Sequence, residues 1–367
     1  MTSCTELWVD KSDFRKTRVV TDELRGVEEG EILVAIDKFG LTANNVTYAV
    51  MGDAIGYWKF YPAPDNWGKV TVWGCANVIE SRCKDIEVGE RLYGFFSMSS
   101  HAILQPGKIR RDNFRDIAPH RKELPGSALY SNYRRTQREP EIVQQFENER
   151  CLLFPLMATG YVLYDYLVDN DCFGAKQIII GSVSSKTGFS LATLLHDDPL
   201  VSAKVIGLTS ERNKGFVEAL GCCDQIVIYG SESGIAPDLP AAYIDMAGDA
   251  KLTQTLHNHL RDNMVESAMV GASHWEDGGS MGELPGAKPT LFFAPAQIAK
   301  RDKEWGAGEL TAKAMQATMT ISERAKRHMQ IEWSLGAEAV QQSWHNLLDN
   351  KVPGSTGIMA SLLAQQE

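Results

Sequence analysis

The period of hydrophobic and polar positions changes along the chain, and the change divides it into differently built parts. Up to about residue 110, segments such as EGEILVAIDKFGLT and KVTVWGCANVIESR alternate or run apolar at strand length between frequent turns. This pattern predicts an all-β, barrel-like domain. Residues 151–332 instead alternate short apolar runs with amphipathic segments, as in KQIIIGS followed by KTGFSLATLLHD. Strands that alternate with helices in this way predict a doubly wound parallel sheet.

A polar, basic segment separates these two patterns over residues 108–150. Between residues 108 and 138 there are nine Lys and Arg residues against three Asp and Glu residues. One interpretation is a solvated connecting segment. The other is an anion-facing surface near a substrate entrance. After residue 332, a final stretch with turn residues and an apolar tail ends the chain.

Composition and charge exclude several classes of protein. The 367 residues are 44% hydrophobic and 23% charged, which is typical of a soluble globular protein with room for two domains. A net charge of −10 argues against a general binder of nucleic acid or anionic membranes. No apolar run is long enough for a membrane span, and the N-terminal segment lacks the apolar core of a secretory signal. We therefore expect a cytoplasmic protein, with its seven scattered cysteines reduced.

The segment IIIGSVSSKTGFSLATLL has the order strand, small polar turn and helix that binds phosphate in many proteins. It is not a P-loop, because Ser185 stands where that motif needs a glycine before Lys186 and Thr187. In a dinucleotide site, Gly181 would begin the turn and Gly188 would allow the helix to pack closely.

Hydroxyl side chains at Ser184, Ser185 and Thr187 can donate to phosphate in place of glycine backbone. Lys186 is a cation in the first turn of a helix, which opposes the helix dipole unless an anion is bound there. We expect it to contact the phosphate. The alternative is a lysine that extends into solvent.

The end of the next strand indicates which dinucleotide is bound. NAD-preferring folds place an Asp or Glu there, whereas VIGLTSERNK has Thr209 and Ser210, followed by Arg212 and Lys214. A missing carboxylate with cations nearby favours a 2′-phosphate, and therefore NADP(H). The alternative is that these cations are ordinary exposed charges at a helix start.

Together, IIIGSVSSKTGFSLATLL, VIGLTSERNKGFVEALGCCDQIVIY and AYIDMAGD resemble, in order, the cofactor domain of medium-chain dehydrogenase/reductases. TVWGCANVIESRCKDIEVGERLYGF resembles the barrel of this superfamily, and LTANNVTYAVMGDAIGYWKFYPA resembles its uncharacterised DUF2855 branch. The resemblance implies a GroES-like domain over residues 1–150, with the basic insert at 108–150, and a Rossmann NADP-binding domain over 151–332. Residues 333–367 would return to the GroES-like domain, and a homodimer is possible.

The resemblance also assigns site residues. It places Lys214 and Tyr229 at the 2′-phosphate and Thr159 near the nicotinamide. The complete set expected to bind the cofactor is Thr159, Gly181, Ser184, Ser185, Lys186, Thr187, Ser210, Arg212, Lys214, Tyr229 and Ser273.

A catalytic zinc is not expected, because Cys75 and His101 have no evident third ligand. Without a metal, the site must hold a developing oxyanion and supply a proton, which Asn and Tyr side chains can do. In similar enoyl reductases a tyrosine about a dozen residues beyond a catalytic Asn is the proton donor. This favours Asn45 and Tyr57, with Tyr48 as the second choice; the alternative is that these tyrosines only pack.

Two further tyrosines, Tyr130 and Tyr133, lie in the basic insert and are expected to be surface-packing aromatics; the alternative is that they cap the substrate pocket. The leading hypothesis is a zinc-independent, NADPH-dependent oxidoreductase that reduces an activated C=C bond, as in an enone or enoyl thioester, or a quinone. Its substrate would be a small molecule or an acyl thioester, and the basic insert would favour a phosphate-bearing acyl carrier. The alternatives are a sensor or structural protein that binds NADP(H) without hydride transfer, and a non-redox, lyase-type enzyme on the same scaffold.

Overall fold

The structure is a computed structural model that describes residues 2–124, 126–271 and 282–364. Its contacts divide the chain into two units. The first comprises residues 1–152, 331–352 and 357–367, and the second comprises residues 153–330 and 353–356. The segment 353–356 thus groups with the second unit, whereas the sequence assigned it to the barrel. None of the described helices is long and apolar enough to cross a membrane.

The alternating segments of the first unit form antiparallel strands in two sheets. One sheet has the order β2-β1-β4, and the other has the order β17-β18-β3-β5-β6-β10-β9-β8, with β7 paired to β3. The strands are β1 Ser3–Asp10, β2 Asp13–Glu23, β3 Ile32–Leu41, β4 Trp67–Gly68, β5 Thr71–Ser81, β6 Arg91–Ser97, β7 His101–Leu104, β8 Pro106–Gly107, β9 Asn113–Asp116, β10 Asn132–Arg135, β17 Gln330–Leu335 and β18 Thr356–Ser361. The helices are α1 Ala43–Val50, α2 Ser127–Tyr130, α3 Glu141–Gln144, α4 Glu147–Leu152 and α11 Ala337–Leu348.

Two short strands within residues 108–150, β9 and β10, belong to this sheet, so the segment is not merely a solvated connection. Strand β9 pairs with β8 and β10, and β10 pairs with β6. Part of the positive charge is neutralised inside the unit: Arg135 pairs with Glu90 at 2.5 Å, and the buried Arg121 pairs with Asp116 at 3.1 Å. A basic composition therefore reflects internal ion pairs as well as surface charge.

The second unit contains a parallel sheet of the order β13-β12-β11-β14-β15-β16, which is 3-2-1-4-5-6 when counted within the unit. Its first strand, QIIIG, is buried along its whole length, as expected for a parallel strand covered on both faces. The strands are β11 Gln177–Gly181, β12 Lys204–Thr209, β13 Gln225–Ile228, β14 Ala241–Asp245, β15 Met264–Met269 and β16 Thr290–Leu291. The helices are α5 Phe154–Asp169, α6 Lys186–Asp197, α7 Lys214–Leu220, α8 Ala250–Leu260, α9 Ala294–Trp305 and α10 Glu309–Ala325.

Candidate functional site

The turn between β11 and α6 lies where open parallel sheets bind ligands. In the strand order 3-2-1-4-5-6, the direction of winding reverses between the first and fourth strands, β11 and β14. Their carboxyl ends are in register, with Gly181 opposite Asp245. Ligands bind outside these carboxyl ends, so the turn that follows Gly181 is the candidate site in this unit. We call residues 181–185, together with the first turn of α6, the phosphate turn.

Backbone hydrogen bonds fix the shape of the phosphate turn. Ser182 has a positive φ of 52°, which is uncommon for a residue with a Cβ, and its N–H donates to Tyr229 Oη at 2.9 Å. The N–H of Val183 donates to the Leu208 carbonyl at 3.0 Å, and the N–H of Ser185 donates to the Ser182 carbonyl at 2.9 Å. Tyr229, which was expected at the 2′-phosphate, is therefore tied to the phosphate turn.

Three backbone donors of the phosphate turn have no acceptor among the described residues: the N–H groups of Ser184, Lys186 and Thr187. Ser185 caps the helix by accepting the N–H of Gly188 at 3.1 Å. Unpaired amides at a helix N-terminus attract anions, since they combine free donors with the positive end of the helix dipole. The residues present thus fit a phosphate group.

Close packing requires the glycine at position 188. A Cβ placed there would lie 2.6 Å from the Ser182 carbonyl oxygen and 2.9 Å from Ser185 Oγ. The helix start and the phosphate turn can approach each other only without that atom. Gly181 is less crowded, because an added Cβ would lie 3.0 Å from the hydroxyl of Tyr243.

The carboxyl end of β12 carries two hydroxyl groups without partners. Thr209 Oγ1 and Ser210 Oγ are buried and have no hydrogen-bond partner within the described residues. Lys214 follows at the start of α7, with Nζ 3.9 Å from Glu218 Oε1 in the next turn. Arg212 lies between Ser210 and Lys214 in the sequence. Orphaned hydroxyls in place of a carboxylate fit a phosphorylated ribose better than a ribose diol.

Lys186 differs from the expectation that it contacts the cofactor phosphate. Its side chain is only 9% exposed, and Nζ donates to the carbonyls of Gly354 at 3.1 Å and Thr356 at 2.7 Å. Burial lowers the pKa of its amine to about 8. The ammonium group of Lys186 therefore binds two backbone carbonyls. The backbone N–H of Lys186 is the group that has no acceptor among the described residues. The solvent-exposed alternative is wrong as well.

The remaining predicted cofactor residues are Thr159 and Ser273. Thr159 is on α5, and its hydroxyl donates to the Pro155 carbonyl one helical turn earlier, at 3.0 Å. This bond within α5 leaves the assignment of Thr159 to the nicotinamide a prediction. Ser273 falls within residues 272–281, which the structure does not describe.

In the first unit, Tyr48 and Tyr57 belong to one aromatic group, which we call the tyrosine cluster: Tyr48, Tyr57, Phe60, Phe95 and Tyr130. The ring centroids of Tyr48 and Tyr57 are 4.6 Å apart. The hydroxyls of Tyr57 and Tyr130 are 3.0 Å apart, and Trp73 Nε1 donates to Tyr48 Oη at 3.2 Å. The fold thus brings together Tyr48 and Tyr57, the two tyrosines predicted from the sequence.

Burial is the main cause that raises the pKa of Tyr57, and Tyr48 raises it further. Burial likewise raises the pKa of Tyr48. Both phenols are therefore neutral at physiological pH and can donate hydrogen bonds.

The expectation that Tyr130 and Tyr133 are surface aromatics is wrong. Tyr130 packs within the tyrosine cluster, and Tyr133 is fully buried. The Tyr133 hydroxyl donates to the Phe95 carbonyl at 2.7 Å and accepts from Arg121 Nη1 at 3.1 Å. Tyr133 is directed inward from strand β10 of the sheet, and Tyr130 ends the short helix α2 just before that strand.

The side chain of Asn45 caps the N-terminus of α1. It is 3% exposed; its Oδ1 accepts the N–H of Thr42 at 2.7 Å, and its Nδ2 donates to the Thr71 carbonyl at 2.9 Å. This is a capping arrangement, with Thr42 at the N-cap and Asn45 three residues later. The spacing T-x-x-N was a sequence signal for the cap. Both ends of the amide are engaged in these bonds, so the structure shows Asn45 as a capping residue, and its role of holding a substrate carbonyl stays a prediction.

No group of three or more His, Cys, Asp or Glu side chains suited to a metal ion occurs in the part of the chain that the structure describes. The two zinc-ligand candidates have other neighbours. Cys75 Sγ lies 3.9 Å from Cys151 Sγ, and His101 Nδ1 lies 2.9 Å from Ser100 Oγ.

Comparisons with known proteins agree with this architecture. The family model described as a protein of unknown function, DUF2855, matches residues 39–353. No curated protein matches the chain.

Among solved structures, CurA from Vibrio vulnificus is similar with a TM-score of 0.62 and 13% identity over 100% of both chains. A mutant form of enoyl thioester reductase from Candida tropicalis has a TM-score of 0.58 and 10% identity over 98% of this chain and 100% of its own. The yhdH oxidoreductase from Salmonella enterica, in complex with NADP, has a TM-score of 0.52 and 13% identity over 98% and 100%. These likenesses show the fold, and they confirm the predicted combination of a GroES-like domain with a Rossmann domain.

Proposed function

The chain belongs to the DUF2855 family and has the medium-chain dehydrogenase/reductase fold, and from these findings we propose that it is an NADPH-dependent oxidoreductase. Its substrate would be an activated C=C bond, as in an enone or enoyl thioester, or a quinone. Proteins of the same fold support the cofactor and the reaction class: CurA has a structure in complex with NADPH, and the Candida protein is an enoyl thioester reductase.

The observation that carries the proposal is the set of unpaired donors at the phosphate turn. The N–H groups of Ser184, Lys186 and Thr187 lack acceptors among the described residues, at the sheet edge where dinucleotides bind. A pyrophosphate would satisfy them with charge-assisted hydrogen bonds.

The preference for NADPH over NADH rests on the end of β12. Ser210 stands where an NAD-specific fold has a carboxylate, and its buried hydroxyl is unpaired within the described residues. The ammonium group of Lys214, at the start of α7, would complement a 2′-phosphate. We assign both residues to that phosphate.

NADPH, when bound, supplies a hydride to the electron-poor carbon of the substrate. In the reduction of an enone or enoyl thioester, the negative charge then develops on the carbonyl oxygen. We assign the Tyr57 hydroxyl as the hydrogen-bond donor to that oxygen and as the source of the proton that completes the reduction. Its raised pKa keeps it protonated until the oxygen becomes a strong base.

A Ser210→Asp variant tests the proposed cofactor. The new carboxylate would repel the 2′-phosphate and could accept from a ribose diol, so we expect NADPH affinity to fall roughly 30-fold, or about 2 kcal/mol, while NADH affinity holds or rises. Titration with both nucleotides, followed by nucleotide fluorescence, measures this. Ser202→Asp, an exposed position just before β12, is the matched control.

The result separates the main alternatives. A wild-type protein that binds neither nucleotide would overturn the proposal. Tight NADPH binding without substrate-dependent oxidation, across enones, quinones and acyl thioesters, would favour the sensor or non-redox alternatives.

A further inference from the structure

Residues 353–356, Pro-Gly-Ser-Thr, are fastened to the phosphate turn by two side chains. Lys186 Nζ donates to the carbonyls of Gly354 at 3.1 Å and Thr356 at 2.7 Å. Asn213 Oδ1 accepts the N–H of Gly354 at 3.0 Å. The segment thus has three side-chain hydrogen bonds to residues that flank the carboxyl ends of β11 and β12. We call this arrangement the latch.

The latch also contacts the phosphate turn directly. Asn213 Nδ2 donates to Ser184 Oγ at 3.2 Å, so one amide bridges the phosphate turn and Gly354. A Cβ on Gly354 would lie 2.7 Å from the Ser184 carbonyl oxygen and 3.0 Å from its Cβ. Only a glycine can approach Ser184 this closely.

Two of the three unpaired donors belong to residues that the latch holds. Asn213 and Gly354 fix Ser184, and the long side chain of Lys186 fixes the first residue of α6. A phosphate bound by the amides of Ser184 and Lys186 needs both in one orientation. The latch therefore constrains the geometry that such a phosphate would require.

We propose that Lys186 and Asn213 are positioning residues that couple dinucleotide binding to the attachment of residues 353–356. The coupling rests on the proposed function, because its ligand is NADPH. By linkage, a ligand that favours the latched turn must hold the latch more tightly, and a broken latch must weaken the ligand by the same factor. The segment continues directly into residues 357–361 of β18.

The test combines hydrogen exchange at the Gly354 amide with NADPH titration, using the wild-type protein, Asn213→Ala and a control. Asn213→Ala removes the acceptor for that amide and the bond to Ser184. We expect about tenfold faster exchange at Gly354 without ligand, about tenfold weaker NADPH binding, and less protection on adding NADPH. The control is Asn263→Ala, which loses a single exposed bond to the Pro237 carbonyl and should change none of these.

The outcomes separate the latch from the proposed function. Faster Gly354 exchange in Asn213→Ala with unchanged NADPH affinity would overturn the coupling, because a merely structural contact moves the exchange rate alone. Unchanged exchange would overturn the latch itself. Failure of the wild-type protein to bind NADPH would remove the proposed function and the coupling with it, which the wild-type titration shows before any variant is made.

Discussion

The phosphate turn of the second unit and the tyrosine cluster of the first unit differ in whether their polar groups have hydrogen-bond partners. In the phosphate turn, three backbone N–H groups have no acceptor among the described residues, and the Ser210 hydroxyl nearby is likewise unpaired. In the tyrosine cluster, the hydroxyls of Tyr57 and Tyr130 bond to each other, and Tyr48 accepts from Trp73.

The difference indicates what each region is suited to bind. A buried donor without a partner costs about 1–3 kcal/mol, and a charged ligand that arrives with its own acceptors recovers that cost. A phenol that already has a partner must exchange one hydrogen bond for another, which favours an oxygen that gains charge during a reaction. The phosphate turn is thus suited to a permanent anion, and the tyrosine cluster to a transient one.

The largest expected effect comes from removing one hydroxyl of the tyrosine cluster. Tyr57→Phe keeps the ring packed against Tyr48 but loses the donor, so we expect turnover to fall roughly 10³-fold, or about 4 kcal/mol, with NADPH affinity unchanged. Steady-state kinetics alongside nucleotide titration measures the two separately. Tyr161→Phe on α5 is the control. Normal turnover in Tyr57→Phe would remove this residue as the donor and leave the cluster with a packing role.

The buried amine of Lys186 should make the free energy of unfolding depend on pH in the alkaline range. The pKa of Lys186 is about 8 in the folded protein, against an ordinary value of 10.5, because burial disfavours the charged form. Between these values the unfolded chain binds more protons, so stability rises as pH rises. The free energy of unfolding of the wild-type protein, relative to Lys186→Met, should increase by about 3 kcal/mol from pH 8 to 10.5.

Urea unfolding of both proteins across this pH range gives the difference, since titrations common to both cancel. The uncharged carbonyls of Gly354 and Thr356 face the amine. A flat difference would mean that the amine is solvated and the latch open in solution.

The sequence predicted the parts of this comparison that depend on local pattern. The run QIIIG is buried throughout, as a parallel strand should be, and the small residues that follow it form the phosphate turn. The partners of Lys186 could not be predicted, because Gly354 and Thr356 lie 168 and 170 residues away. Nothing near Lys186 in the sequence marks a carbonyl pair as its acceptor.

The insert was misinterpreted for a related reason. The strands NFRD and NYRR have four residues each and carry more charge than apolar surface, so their periodicity is too short to detect. Their pairing is stabilised by contacts that are distant in sequence, such as Arg135 with Glu90. Tyr133, on β10, enters the unit's interior through this pairing.

The smallest expected effect concerns Asn45, the predicted catalytic residue whose side chain caps α1. Asn45→Ala removes the acceptor for the Thr42 N–H and the donor to the Thr71 carbonyl, so we expect unfolding to become easier by about 1 kcal/mol while turnover per folded molecule stays the same. Chemical denaturation and steady-state kinetics on one preparation measure both. The control is Asn346→Ala on α11, where the lost bond joins two exposed side chains of one helix. If Asn45→Ala instead lowers turnover without changing stability, its amide holds the substrate oxygen, and Asn45 joins the tyrosine cluster as a source of donors for a transient charge.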